Sequence, residues 1–97
     1  MKYAPDTDVE VLEEVDIDVD QVKLYAIVVF NDDVNSFDHV IATLMELCEH
    51  SKEQAEQCTL IIHFKGKCAV KNGDLDELTP IRNAICKRGI SAEILLR

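Results

Sequence analysis

The sequence lacks any apolar run near the ~18 residues that a membrane-spanning helix needs. Its acidic N-terminus has no apolar h-region, so neither a signal peptide nor a transit peptide is expected. Glycine is scarce: Gly66, Gly73 and Gly89 are scattered, each near the end of an expected element, and no glycine-rich loop is available to cradle a phosphate. There is no Cys-x-x-Cys pair, no nucleophile elbow, no internal repeat and no low-complexity linker. Bases are outnumbered, with 10 Lys and Arg against 19 Asp and Glu, for a net charge of −9. Eight of the acids (Asp6, Asp8, Glu10, Glu13, Glu14, Asp16, Asp18, Asp20) fall in the first 20 residues, which leaves the remainder at only −2. A leader of that sign repels phosphate backbones, so nucleic acid is not an expected partner, and neither is a membrane.

What is present is one small domain of 47% hydrophobic residues behind that leader. Residues 1–21 are expected to be a flexible acidic extension and residues 22–97 the folded core. Cys48, Cys58, Cys68 and Cys86, without a secretory signal, read as reduced, buried small hydrophobes of a cytosolic protein. Lys23 to Phe30 is rich in β-branched and aromatic residues and predicts a well-covered strand. Asn31 to Asn35 is a turn, and Ser36 caps a helix whose apolar residues Phe37, Val40, Ile41, Leu44, Met45 and Cys48 keep helical spacing. Ser51 and Gln54 form a capping box for a second helix ending at Gly66, with Ala55, Cys58, Thr59 and Ile62 inward. Leu60, Ile61 and Phe64 widen that arc, so burial on more than one side is expected. Lys67 to Lys71 predicts a strand, Asn72-Gly73 a turn, Thr79-Pro80 the start of a third helix running to Arg88, and Ser91 to Leu96 a last strand. The expected fold is α+β: β-α-α-β-α-β, a three-stranded, largely antiparallel sheet with three helices on one face.

Three chemistries compete for the polar residues. Cys58-x4-His63-x4-Cys68 has soft ligands but not zinc spacing, so no metal and no cofactor is expected. Asp32-Asp33 with His63 could support a small enzyme, although adjacent residues at a strand end diverge. Alternatively, ionised carboxylates, the Asn31 carbonyl and a neutral His63 ring all accept hydrogen bonds and together suit an ammonium group. Protonation of His63 would then remove an acceptor and repel the ligand.

Asn31-Asp32-Asp33-Val34-Asn35-Ser36-Phe37-Asp38-His39-Val40-Ile41, Gln54 to Cys58, and His63-Phe64-Lys65-Gly66-Lys67-Cys68 resemble the ClpS family over about residues 23–96. Its members are non-enzymatic adaptors that bring N-degron substrates, proteins with a bulky hydrophobic first residue, to a Clp AAA+ unfoldase–protease. The resemblance implies a monomeric cytoplasmic adaptor whose partners are such substrates and a ClpA- or ClpC-type ATPase. It implies that Asn31, Asp33 and His63 bind the substrate's free α-amino group, with Asp32 assisting directly or through water. The side-chain pocket maps to Val29, Phe37, Val40, Thr59, Ile62 and Ala92. The ATPase contact maps to Asp76 and, beside the position that carries a base in relatives but is Ile81 here, to Arg82. Asn35-Ser36 replaces a Thr-Pro common in relatives, Phe37 stands where the gate is often Met, and Thr59 brings a hydroxyl to or near an otherwise apolar pocket. The family fold is shared with the C-terminal domain of the ribosomal stalk protein, so a helix-face interaction domain of that type is the alternative reading.

Overall fold

A computed structural model describes residues 24–97. The acidic extension expected over residues 1–21 and the first two residues of the expected core lie outside the described residues. Six elements follow one another: β1 (Tyr25–Phe30), α1 (Phe37–Leu47), α2 (Lys52–Lys65), β2 (Lys67–Gly73), α3 (Leu75–Lys87) and β3 (Ala92–Leu96). The sheet order is β2-β1-β3, with β1 antiparallel to both neighbours. The most apolar strand is thus the central one, as its composition requires. Val29 lies opposite Cys68 on one side and Ala92 on the other. Between Ile27 and Val28 the register with β2 shifts by one, leaving Val70 as an extra residue. The His50 Nε2–H takes up that residue's carbonyl at 2.6 Å.

The core gathers on the helical face of the sheet. Ile27 and Val29 of β1 meet Val40 and Leu44 of α1, Ala55 and Ile62 of α2, Val70 of β2, and Leu78 and Ile85 of α3. Helix α1 starts where expected, with the Ser36 Oγ accepting the His39 N–H at 3.1 Å. The capping box of α2 is complete, Gln54 N–H donating to Ser51 and the Gln54 side chain accepting from the Ser51 N–H. Gly66 closes α2 in the left-handed region at φ 94°, which an L side chain adopts only with strain.

Three expectations are corrected. Helix α3 does not begin at Pro80 but at Leu75, capped by Asp74, whose Oδ1 accepts the Glu77 N–H at 2.7 Å. Pro80 sits inside it, so the Asp76 carbonyl has no donor from the position four residues on. The added turn brings Leu78, fully buried, into line with Ile85 seven residues later, and that burial offsets the proline. Asn72 and Gly73 are paired strand residues rather than a turn. A Cβ at Gly73 would lie 2.6 Å from the Glu77 carboxylate, which can swing aside, and 3.1 Å from fully buried Leu78, so glycine leaves room for that side chain against the strand. Finally, α2 buries a single stripe (Ala55, Thr59, Ile62), while Leu60 and Phe64 are exposed.

Candidate functional site

At its C-terminal end β1 delivers Asn31, Asp32 and Asp33 into a tight turn. Asp32 organises it: Oδ1 accepts the Val34 and Asn35 N–H groups, both at 2.9 Å, and Oδ2 accepts the Asn35 side-chain amide at 2.8 Å. The Asn35 N–H, with the Val34 N–H and the Asn35 amide, holds the Asp32 carboxyl below its ordinary value against partial desolvation. Three of about four acceptor positions on this carboxylate are therefore occupied within the turn. Asp33 differs: it is exposed, and none of the hydrogen bonds or ion pairs among the described residues involves its side chain.

The turn is tied down at both ends. The Asn31 N–H donates to the Gly66 carbonyl at 2.9 Å, which fixes it against the end of α2, where His63 lies in the last turn. The Phe30 N–H donates to the Ser91 carbonyl at 3.0 Å, and the Asn35 side chain also donates to the Gly89 carbonyl at 2.8 Å. His39 Nε2–H adds a bond to the Arg88 carbonyl at 2.9 Å, and Arg88 pairs with Glu46 at 2.6 Å. Two carbonyls just past the end of α3, those of Arg88 and Gly89, are thus taken up by side chains of α1 and the turn.

Between these elements lies a cavity of about 280 Å³. That is just under the usual range of about 300–1,000 Å³ for small-molecule pockets and suits one large side chain. Asn31, Asp32, Asp33, Asn35 and His63 line it with polar groups, and Val29, Phe30, Phe37, Val40, Thr59, Ile62 and Ile90 supply the rest. Phe37, the first residue of α1 and 43% exposed, meets the His63 ring edge-on at 5.2 Å between centroids. His63 in turn contacts Phe64 at 4.9 Å. Thr59 is buried and its hydroxyl donates to the Ala55 carbonyl at 2.7 Å, so it keeps no donor for a ligand. The net arrangement is a small apolar hollow whose lining carries acceptors and two carboxylates, suited to a compound that has an ammonium group next to a bulky apolar group.

A sequence model of the family described as ATP-dependent Clp protease adaptor protein ClpS matches residues 20–92. The chain belongs to the ClpS family. Its curated relatives include the ATP-dependent Clp protease adapter protein ClpS of Helicobacter hepaticus, 34% identical over 62% of this chain and 63% of that one. The same protein of Campylobacter jejuni strain 81-176 is 41% identical over 45% of this chain and 46% of that one. The matches thus span about half to two thirds of the relatives' length. Among solved structures, Agrobacterium tumefaciens ClpS2 bound to L-phenylalaninamide superimposes with a TM-score of 0.73 at 17% identity, covering 77% of this chain and 98% of that one. At that identity the likeness establishes the fold: this chain has the ClpS architecture.

Of the residues that the ClpS resemblance singles out, nine line this one cavity: Asn31, Asp32, Asp33 and His63 among the polar ones, Val29, Phe37, Val40, Thr59 and Ile62 among the others. Ala92 is not among them; it is buried in β3 opposite Val29, and Ile90, two residues earlier, reaches the cavity instead. Phe30, Asn35 and Ile90 also line the cavity without having been singled out, Phe30 because it read only as the end of a covered strand. Asn35 looked like one more polar turn residue, and Ile90, between two expected elements, carried no periodic signal. Asp76 lies exposed in the first turn of α3, and Arg82 lines a separate shallow groove with Leu75, Thr79, Glu93 and Ile94. The four cysteines are free thiols. Among the described residues no group of three His, Cys, Asp or Glu side chains is placed to hold a metal ion, and no helix is long and apolar enough to cross a membrane.

Proposed function

We propose that this ClpS-family chain binds proteins through a free N-terminal residue with a bulky hydrophobic side chain and delivers them to a Clp AAA+ ATPase of the ClpA or ClpC type. In this reading it acts as a cytoplasmic, monomeric, non-enzymatic adaptor. Asn31, Asp33 and the neutral His63 ring accept hydrogen bonds from the substrate's α-ammonium group. Asp32 acts mainly by shaping the turn, with one acceptor position left for a direct or water-mediated contact. The side chain enters the hollow of Val29, Phe37, Val40, Thr59 and Ile62, with Ile90 on its wall and Ala92 packed behind Val29. Asp76 and Arg82 on α3, away from the cavity, contact the ATPase, and the acidic extension over residues 1–21 assists delivery.

The observation that carries this reading is one cavity that combines an apolar hollow with acceptors at a strand end. The compound bound to Agrobacterium tumefaciens ClpS2, L-phenylalaninamide, has the matching chemistry, an α-amino group beside a phenyl ring. Magnitudes require both halves. Burying a Leu or Phe side chain contributes about 1.5–3 kcal/mol, and each hydrogen bond to a charged group contributes about 1.5–3 kcal/mol. Association costs at least about 4 kcal/mol. The side chain alone does not offset that cost, and the hydrogen bonds at the low end of their range only just do, so an internal hydrophobic residue, which has no free amine, is not bound.

Fluorescent peptides beginning with Phe or Leu, free or N-acetylated, test this. The free forms bind and the acetylated forms do not; equal affinity for both sinks the amine-reading site. Turnover of the peptide would instead assign chemistry to Asp32, Asp33 and His63. Delivery is read as ATP-dependent degradation of a Phe-initiated protein by the Clp protease, lost in the Asp76→Ala, Arg82→Ala double variant.

A further inference from the structure

Among the described residues, Asn35 is the one side chain that joins the two halves of the cavity. A side-chain amide has two donor hydrogens, and both are used: one on the Asp32 carboxylate and one on the Gly89 carbonyl, each at 2.8 Å. Its own N–H goes back to Asp32 at 2.9 Å. Gly89 leads directly into Ile90, the buried wall residue. The other tethers of this region, Asn31 to Gly66 and Phe30 to Ser91, run between backbone groups and are available to almost any sequence. The tether from the turn to Gly89 depends on a single amide. Resting on the reading above, we propose that Asn35 is the positioning residue of this site, holding the amine-reading turn in register with the Ile90 wall of the side-chain cavity.

Removing it should therefore weaken both kinds of recognition at once. Asn35→Ala binds a Phe-initiated peptide about ten-fold more weakly than the wild type, the worth of one charge-assisted hydrogen bond. It also narrows the preference for Phe over Ala as first residue, although the substitution touches only the turn. Asn35→Asp keeps the size but removes both donors and sets a second carboxylate against Asp32 and the Gly89 carbonyl. Its affinity is lower still at neutral pH and recovers relative to Asn35→Ala on mild acidification, as the carboxylate pair takes up a proton. The other titratable or charged groups near this contact are Asp33 on the turn, His39 on α1 and Arg88 at the end of α3. The titration is therefore read by NMR at two carboxyl carbons, that of Asp32 and the one that Asn35→Asp introduces. Both variants binding within about two-fold of wild type, with the preference for Phe intact, overturns the proposal. The wild-type protein provides a readout that does not depend on either variant folding: the Asn35 side-chain amide protons shift with the Asp32 carboxyl on acid titration. If they are silent while Asp32 protonates, the contact is not there. Asp33→Ala and N-acetylated peptide run in parallel separate the two failures. If neither affects binding, the amine-reading site is wrong, and the NMR titration still decides whether Asn35 clamps the turn.

Discussion

Asp32 and Asp33 are chemically identical neighbours, and the fold gives them different work. Asp32 satisfies two backbone N–H groups and an amide, while Asp33 is exposed, with no hydrogen-bonded partner for its side chain among the described residues. Asp33→Ala should lower affinity for a Phe-initiated peptide about ten-fold or more while leaving the urea midpoint unchanged. Asp32→Ala should also destabilise the fold, by about 0.5–1 kcal/mol given the turn's exposure to solvent. The second effect depends on pH in a defined direction. The Asp32 carboxyl is held below its ordinary 3.8 in the folded state, mainly by the Asn35 N–H. The folded state thus favours the ionised form, and its contribution is complete above 3.8 and fades as pH falls through the lower folded value. Urea midpoints of wild type and Asp32→Ala should converge in acid; a gap that stays constant down to that range contradicts the assignment. The sequence marked all four polar residues as candidates but could not divide the aspartates, because that division depends on which carboxylate the chain reversal at Val34 and Asn35 encloses.

At the scale of elements, α3 shows where sequence and structure part. Proline's missing N–H and its clash with the preceding turn argue for a helix that starts at Pro80. The structure takes an earlier start, capped by Asp74 with Asp76 and Glu77 in the first turn. It prevails because the longer helix buries Leu78 completely beside Ile85, and loss of a buried leucine typically costs about 2–5 kcal/mol, comparable with the ~3 kcal/mol of an interior proline. Pro80→Ala should then stabilise the protein by about 1–2 kcal/mol, restoring a donor to the Asp76 carbonyl while giving back some unfolded-state entropy. A urea midpoint that falls instead would mean that the ring, and not its missing N–H, matters at this position. The helices with unambiguous caps, α1 behind Ser36 and α2 between its capping box and Gly66, were legible because cap, periodicity and stop agree. The breadth of α2's buried face was not, since exposed Phe64, at 77%, packs on His63 rather than on the core.

For the whole molecule, element order and class followed from composition and punctuation alone, because a 97-residue chain with three strand-like and three helix-like stretches has few ways to cover a sheet. The register shift at Val70 was not legible, since it depends on how β2 meets β1 and His50 together. The thiols give a test at this scale. Burial pushes Cys48 up to about 11, with Lys71 opposing, and burial together with the neighbouring Cys58 thiol pushes Cys68 up to about 12. Both should resist iodoacetamide at neutral pH and react once the chain is denatured, because the thiolate is the nucleophile. As their folded values are raised, the neutral thiols contribute stability in full below the ordinary 9.0, and for Cys48 that contribution is lost as pH rises through about 11. Rapid labelling of Cys48 in the folded protein would contradict its place in the core. The central position of β1 carries a further consequence. It is hydrogen-bonded along both edges, so if either β2 or β3 peels away the other still holds it. Partial opening of the molecule begins at its margins, and the turn of Asn31 to Asn35 grows from the segment that comes apart last. When one margin opens, the turn would keep its base on β1 but lose the tethers that leave with that strand, Gly66 with β2 or Gly89 and Ser91 with β3, so the site would loosen from its walls before its base gives way.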